Sequence, residues 1–351
     1  MRRYRTIEFT SGGYVRAAAQ AVILLLVVMG MAGLSGCSRE RERTPSPGQR
    51  ATTIAVVPIP HAAPLYIAYQ KGYFKDEGLK VVLRTFETGK GALDAALRGH
   101  ADLATVAETP IARAAVEGKS VFVIATLSDS DRATMIIARR DRGISSPADL
   151  RGKKIGVSLG TNSEFFLYIY LTLHHVAQDE ITIVDLRPAE IAGALTRGEV
   201  DAVSVWLPHT AQLRNMLGSN ALALHDPDIY TMTLNLAGPR EFILKNPEAI
   251  NRLLRALVKA TRFIRESPDE ARTITARCTG LSPSVIDEAW NDFNFAVELD
   301  QSLLVSLEDQ AAWLLGKKSG GTGRGVPNFL DTLYPAALEK IDPSMVTVTH
   351  R

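Results

Sequence analysis

The sequence predicts an α/β protein with two similar lobes, each a mixed, mostly parallel sheet flanked by helices. Two observations predict this fold class. Short apolar runs alternate with amphipathic helical stretches, which is typical of parallel βαβ units. One pattern of such units also occurs twice, over residues 54–110 and 155–208. The 315 residues that follow position 36 are enough for about two domains.

The two copies of the repeat contain the same elements in the same order. Each opens with a short strand, at Ile54–Pro58 and Ile155–Leu159, followed by a helix and a second extended apolar run. Each then has an Ala-rich helix that ends in Arg-Gly-x-x-Asp, at 98–102 and 197–201, before another strand and a proline. The glycine suits a helix C-terminus. Right-handed crossovers then place the loops after the strands at one edge of each sheet.

The site is expected at that edge, because ligands bind beyond the carboxyl ends of such strands. Four segments occupy these ends: Pro58–Pro64, Glu108-Thr109, Leu159–Glu164 and Trp206-Leu207. Two similar lobes that face each other would bring all four segments into one cleft.

The segment from Gly160 to Glu164 indicates what the cleft binds. Thr161, Asn162 and Ser163 are residue types that begin helices, and Glu164 in the first turn complements the helix dipole. A strand, a glycine turn and a new helix leave several backbone N–H groups directed at one point, which suits a carboxylate, sulfonate or other anion. The alternative is an ordinary capped helix that binds nothing.

The N-terminus is predicted to be a secretory signal, not part of the fold. Residues 1–36 combine four arginines, an apolar run and small residues before Cys37, which is the pattern of a signal peptide. Leu-Ser-Gly before Cys37 resembles a bacterial lipobox, which implies cleavage there and lipidation of Cys37; a plain membrane anchor is the alternative. Residues 37–50, rich in charge, Pro and Ser, are predicted to be a flexible tether.

Composition excludes several function classes. The full sequence has 40 basic and 38 acidic residues. Without residues 1–36, which contain four arginines and one glutamate, 36 basic and 37 acidic residues remain. This balance of charge does not indicate nucleic-acid binding. Cys278 is the only cysteine besides Cys37, so a lipidated Cys37 leaves no disulfide. No catalytic motif is present, and we expect no enzyme activity, no cofactor and no metal.

The remaining elements complete the two lobes. Val121–Leu127 is predicted to be a strand, and the polar residues Ser128–Asp131 after it either line the cleft or form a solvated turn. Ala133–Ala138 should cross into the second lobe, and Tyr230–Leu236 should return. The boundaries are therefore residues 51–134 and 238–351 for the first lobe and 135–237 for the second. Further helices begin at Asn246-Pro247, Ser267-Pro268 and Ser282-Pro283.

Several motifs together resemble the aliphatic sulfonate, taurine and nitrate type of ABC-transporter substrate-binding protein (NMT1/THI5-like). They are Ala63–Ala68, Lys71–Phe74, Glu77–Leu79, Ala107–Pro110, Asp149–Val157 and Val200–Pro208, with Pro239–Phe242 and Asn246–Ala249 downstream. The resemblance implies a type II periplasmic-binding fold with two crossover strands. It also implies a protein that closes on a small ligand and passes it to a permease driven by a separate ATPase. Together with the predicted signal and lipidation of Cys37, this predicts an exported, membrane-anchored monomer.

By position, the resemblance assigns ligand contacts to a set of residues in the four strand-end segments. They are His61, Ala63, Pro64, Glu108, Thr109, Gly160, Thr161, Asn162, Ser163 and Trp206, to which the polar stretch adds Ser128. His61 departs from the family, which often has a small or polar residue there. Two alternatives stay open: Trp206 as core packing, and Glu108 as the cap of the next helix.

Two other functions are compatible with the same fold. One is an iron-dependent enzyme like the thiamine-pyrimidine synthases, which carry clustered cysteines that this chain lacks. The other is a sensor that presents its ligand to a signalling partner in trans. The ligand of a binding protein would be anionic or zwitterionic, as taurine is.

Overall fold

The computed structural model describes residues 50–227, 229–317 and 325–349. The predicted signal peptide, the lipidation site Cys37 and all but the last residue of the tether lie outside these ranges. Among the described helices, none has the length and apolar character needed to cross a membrane.

The described residues form ten strands in two five-stranded sheets. The strands are β1 (Thr52–Val56), β2 (Val81–Thr85), β3 (Leu103–Ala107), β4 (Val121–Ser130), β5 (Thr134–Arg139), β6 (Lys154–Val157), β7 (Thr182–Asp185), β8 (Ala202–Trp206), β9 (Ala221–Leu224) and β10 (Met232–Pro239).

Both sheets have the same topology. The strand order is β2-β1-β3-β10-β4 in the first sheet and β7-β6-β8-β5-β9 in the second. Three strands of each sheet are parallel, with Ile54 paired to Leu83 and Ile155 to Ile183. The strand that enters from the other lobe, β10 or β5, is antiparallel to both its neighbours. The sheets thus confirm the predicted repeat of parallel units with two crossover strands.

Helices cover the sheets. They are α1 (Ala63–Gln70), α2 (Tyr73–Asp76), α3 (Gly89–Leu97), α4 (Glu108–Val116), α5 (Asn162–Leu173), α6 (Pro188–Arg197), α7 (His209–Leu217), α8 (Arg240–Lys245), α9 (Pro247–Glu266), α10 (Pro268–Thr279), α11 (Pro283–Ala289), α12 (Gln301–Lys317) and α13 (Ala336–Glu339).

The local sequence explains these elements. Strands β3 and β8 are buried along their whole length, as expected for central strands covered by helices on both faces. Gly198 ends α6 in the left-handed conformation with φ of 75°, which supports the reading of the Arg-Gly motif as a helix stop. The prolines at 247, 268 and 283 each lie at the start of their helix, as predicted.

Two connections join the lobes. The chain passes from β4 to β5 through residues 131–133 and returns from β9 to β10 through residues 225–231. The return strand begins at Met232 and ends at Pro239, three residues beyond the predicted end at Leu236. The predicted lobe boundaries at 134/135 and 237/238 stay a prediction.

The solvated-turn alternative for Ser128–Asp131 is wrong for most of that stretch. Strand β4 continues through Ser130, and the side chains of Ser128 and Ser130 are buried. The physical reason is that a polar side chain can be buried when its hydroxyl group has a hydrogen-bond partner. Ser128 has one, since its Oγ lies 2.8 Å from His61 Nδ1.

Candidate functional site

A cavity of about 20 Å³ lies between the two sheets. Its lining comes from the ends of strands in both lobes and from the return strand β10. The lining residues are Val57, Ile59, Thr88, Gly89, Lys90, Ala107, Pro110, Thr161, Asn162, Trp206, Met232 and Leu234. A cavity of this volume holds little more than one water molecule. A larger solute therefore requires the walls to move apart.

Two helices of opposite lobes point their N-termini at this cavity. Helix α3 begins at Gly89 after Thr88, whose Oγ1 accepts a hydrogen bond from the Gly91 N–H. Helix α5 begins at Asn162 after Thr161, but the Thr161 hydroxyl donates to the Ser158 carbonyl at 2.7 Å instead of capping the helix. The first residues of both helices line the cavity, and the start of a helix favours an anion because its first N–H groups have no intrahelical partner.

Lys90 is the only charged side chain among the described residues that line the cavity. Its Nζ lies 3.4 Å from Asp94, one helical turn along α3, and 44% of its side chain is exposed. Its stem crosses to the other lobe: a Cβ added at Gly160 would lie 2.9 Å from Lys90 Cδ. Gly160 has a φ of 82°, a conformation that favours glycine.

Asn162 and Trp206 line the cavity from the second lobe, and their contact with a ligand stays a prediction. Asn162 donates from Nδ2 to Thr134 Oγ1 at 3.0 Å. Trp206 is 6% exposed and packs edge-on against His209, with ring centroids 5.7 Å apart. Trp206 is therefore both buried and part of the cavity wall, so the two alternatives for this residue are not exclusive.

Most other predicted contact residues do not line the cavity. Ala63 and Pro64 are buried at the start of α1, and Gly160 and Ser163 flank Thr161 and Asn162 behind the wall. His61 and Ser128 are buried together, with the Ser128 hydroxyl also donating to the His61 carbonyl at 3.0 Å. Their role in ligand binding stays a prediction.

Glu108 and Thr109 also lie outside the cavity lining. Glu108 is fully buried, and its carboxylate accepts hydrogen bonds from the Tyr230 hydroxyl and from Thr233. Burial raises the pKa of Glu108, and the hydrogen bond from Tyr230 partly opposes this rise. Thr109 donates to Gln310 of α12. The ligand role and the helix-cap role of Glu108 both stay predictions.

Thr88, Gly89 and Lys90 were missed by sequence reasoning. The signal was available, because Thr88 follows the end of a predicted parallel strand and opens an Ala-rich helix. The same rule that selected Thr161 would have selected Thr88.

The lobes also touch beside the cavity. Glu164 of α5 lies 2.7 Å from Lys317 Nζ and 3.5 Å from Arg113, and it accepts from the Gly160 N–H at 2.6 Å. Trp313 packs on Phe165, with ring centroids 5.2 Å apart. These contacts join α4 and α12 of the first lobe to α5 of the second. They hold the two walls of the cavity together.

Within the described ranges, no group of three or more His, Cys, Asp or Glu side chains is arranged to hold a metal ion. The arrangement at the cavity is that of a binding site: two helix N-termini, one cation, an amide and an apolar wall.

Comparisons with known proteins concern the family and the fold of this chain. The family model described as NMT1/THI5 like matches residues 59–271. A Bacillus subtilis (strain 168) protein named for aliphatic sulfonate binding is 27% identical, covering 83% of this chain and 86% of its own. The taurine-binding periplasmic protein of Escherichia coli (strain K12) is 25% identical, covering 63% of this chain and 69% of its own.

Two further matches concern the fold and the enzyme alternative. The alkanesulfonate-binding protein SsuA from Xanthomonas axonopodis pv. citri, solved with MOPS, superposes with a TM-score of 0.70 at 18% identity, over 82% of this chain and 98% of its own. This likeness confirms the predicted two-lobed fold. A 4-amino-5-hydroxymethyl-2-methylpyrimidine phosphate synthase from Aspergillus parasiticus is 27% identical, covering 60% of this chain and 65% of its own.

Proposed function

The chain belongs to the NMT1/THI5-like family, and on this premise we propose that it is the solute-binding component of an ABC importer. It binds a small organic anion or zwitterion of the sulfonate or taurine type and delivers it to a membrane permease driven by a separate ATPase. The observation that carries the proposal is the cavity between the lobes, where Asn162 and Trp206 meet Lys90.

The chemistry of the lining favours a ligand in which an anionic group is joined to an apolar segment. The N-termini of α3 and α5 and the side chain of Lys90 supply positive potential to the lining. Val57, Ile59, Met232 and Leu234 supply apolar surface. A short alkanesulfonate has both features.

The protein works outside the cytoplasm in this proposal, as a monomer. The lipid on Cys37 holds it at the membrane face where the permease takes up solute, and the tether allows it to reach that permease.

The proposal is tested by ligand binding to the full chain. Thermal unfolding and calorimetry are run with short alkanesulfonates, taurine, nitrate, bicarbonate, pyrimidine precursors and aromatic carboxylates. A ligand at a hundred times its Kd should stabilise the chain by about 2.7 kcal/mol. Absence of binding across this panel would overturn the proposal.

Lys90→Met tests the site itself. The variant loses the cation of the cavity, so an anion should bind about tenfold more weakly. Lys119→Met is the matched control. Lys119 also pairs with Asp94, and its side chain is 43% exposed, against 44% for Lys90, but it does not line the cavity. Equal affinities for the two variants would contradict the assigned site.

The enzyme alternative is favoured by one observation, the similarity to the pyrimidine phosphate synthase. Purified chain that carries stoichiometric iron and turns over a pyrimidine precursor would replace the binding-protein proposal. An iron-free chain that binds and releases its ligand unchanged would support the binding protein.

A further inference from the structure

A cluster of three charged side chains joins the two lobes beside the cavity. Glu164, in the first turn of α5, has a side chain that is only 6% exposed. Its Oε1 lies 2.7 Å from Nζ of Lys317, the last residue of α12, and its Oε2 lies 3.5 Å from the guanidinium of Arg113 on α4. The cavity chemistry described above uses none of these three residues, because none of them is among the lining residues.

The carboxylate of Glu164 also belongs to the turn that leads into the cavity. Its Oε2 accepts the Gly160 N–H at 2.6 Å, and the next two residues, Thr161 and Asn162, line the cavity. A negative charge at this position acts against the positive end of the α5 dipole. Glu164 without a cation would therefore repel an anion from the start of α5.

The cations that neutralise Glu164 come from the other lobe. Lys317 and Arg113 belong to the first lobe, on α12 and α4, whereas Glu164 belongs to the second. A carboxylate that is buried to this degree is costly unless it is paired. Together, the two cations and the carboxylate carry a net positive charge, whereas Glu164 alone is negative.

Lys317 is held in place for this contact by aromatic packing between the lobes. Its Nζ lies 4.9 Å from the centre of the Trp313 ring. Trp313 in turn packs on Phe165 and Tyr168 of α5, with ring centroids 5.2 Å and 5.7 Å apart. The ammonium is therefore placed between a ring of its own helix and the carboxylate of the other lobe.

We propose that Glu164 couples closure of the lobes to the charge of the anion site. In the open form the carboxylate repels an anion from the start of α5. In the closed form Lys317 and Arg113 neutralise it, and the same helix start accepts the anion. The affinity for an anion thus depends on two cations that do not line the cavity. This inference rests on the proposed function, because it assumes that the cavity holds an anionic ligand.

The test is calorimetry of ethanesulfonate binding to full-chain variants. Lys317→Met should bind the probe about fivefold more weakly than the wild type, because Glu164 keeps its charge and loses a cation. Addition of Glu164→Gln to Lys317→Met should restore part of the affinity, because the repelling charge is then gone. A purely structural contact would not be restored by removing its second partner. A double variant that binds as weakly as Lys317→Met, or more weakly, would overturn the inference.

Lys71→Met is the matched control. Lys71 Nζ lies 2.8 Å from Glu270 and 4.6 Å from the centre of the Phe263 ring, and its side chain is 33% exposed, against 34% for Lys317. All three residues of this control cluster belong to the first lobe. Lys71→Met should therefore keep the wild-type affinity. A loss equal to that of Lys317→Met would show a general effect of charge and would overturn the inference.

A second readout needs no ligand. The radius of gyration of the ligand-free full chain, measured by small-angle scattering, should be larger in Lys317→Met than in the wild type, because the closed form loses a contact between the lobes. Lys71→Met should keep the wild-type radius. Equal radii in Lys317→Met and the wild type would overturn the coupling to closure. If the wild type does not bind ethanesulfonate while the radius increases in Lys317→Met, the proposed ligand class has failed and the role of Glu164 in closure stands.

Discussion

The imidazole of His61 is buried completely, and its two nitrogens have different surroundings. Nδ1 lies 2.8 Å from the Ser128 hydroxyl, whose own proton goes to the His61 carbonyl. Nδ1 therefore carries the ring proton. Nε2 has no partner among the described residues, and the ring stands edge-on to Phe293. Burial accordingly lowers the pKa of His61 from 6.5 to about 3.

His61 should make stability depend on pH. Between pH 6.5 and about 3, the unfolded chain binds a proton at His61 that the folded chain does not. Because the pKa of His61 is lower in the folded chain than in the unfolded chain, the contribution of His61 to the free energy of unfolding is fully present above pH 6.5 and is lost as the pH falls. Wild type should lose about 1.4 kcal/mol of unfolding free energy per pH unit from this group.

Chemical denaturation at pH 7, 6 and 5 measures this loss. His61→Gln should show a smaller loss per pH unit than the wild type, whatever its stability at pH 7. His100→Gln removes an exposed histidine and should keep the wild-type dependence. Equal pH dependence in His61→Gln and the wild type would contradict the assignment.

At the scale of elements, the turn between β6 and α5 is shaped by its contact with α3. The turn residue Gly160 lies against the stem of Lys90, and the adjacent Glu164 pairs with Lys317 of α12. The N-terminal end of α5 is therefore flanked by three cations from the other lobe, Lys90, Arg113 and Lys317. One of them, Lys90, reaches the cavity.

Gly160→Ala tests this contact. The new Cβ would lie 2.9 Å from Lys90 Cδ, so the lysine side chain must shift from its present position, and an anion should bind several-fold more weakly. Gly99→Ala has almost the same positive φ but open space around its Cβ. Both variants should lose about 1 kcal/mol of stability, measured by denaturation, while only Gly160→Ala should lose affinity, measured by calorimetry. Loss of affinity in both would count against the lysine contact.

At the scale of the whole molecule, the described lobes are connected by two segments and lie closed on a cavity of about 20 Å³. Entry of a sulfonate therefore requires an open form. A ligand that contacts both lobes binds the closed form more tightly than the open form, and this difference in affinity sets how far it shifts the equilibrium towards the closed form.

Small-angle scattering measures this closure. The radius of gyration of the full chain should decrease when the ligand found in the binding panel is saturating, because the open population is drawn into the closed form. Trp206→Ala, which weakens binding, should need more ligand for the same decrease. A radius that is unchanged at saturation would contradict closure between the lobes.

Part of the cavity wall was predictable from local patterns, and the failures have a common cause. Thr161 and Asn162 follow β6 and Trp206 ends β8, and strand ends of one sheet share an edge. Glu108 also follows a buried strand, yet its side chain turns to Tyr230, 122 residues away. No local pattern contains that pairing.

The sequence by itself determined the order of the elements, the two repeated βαβ units and the helix starts, because caps, glycine stops and apolar periodicity act between near neighbours. Only the tertiary structure decided which strand-end side chains reach the cavity. Lys90 lines the cavity and Glu108 does not. The direction of each side chain depends on groups that the two connections bring together from distant parts of the chain.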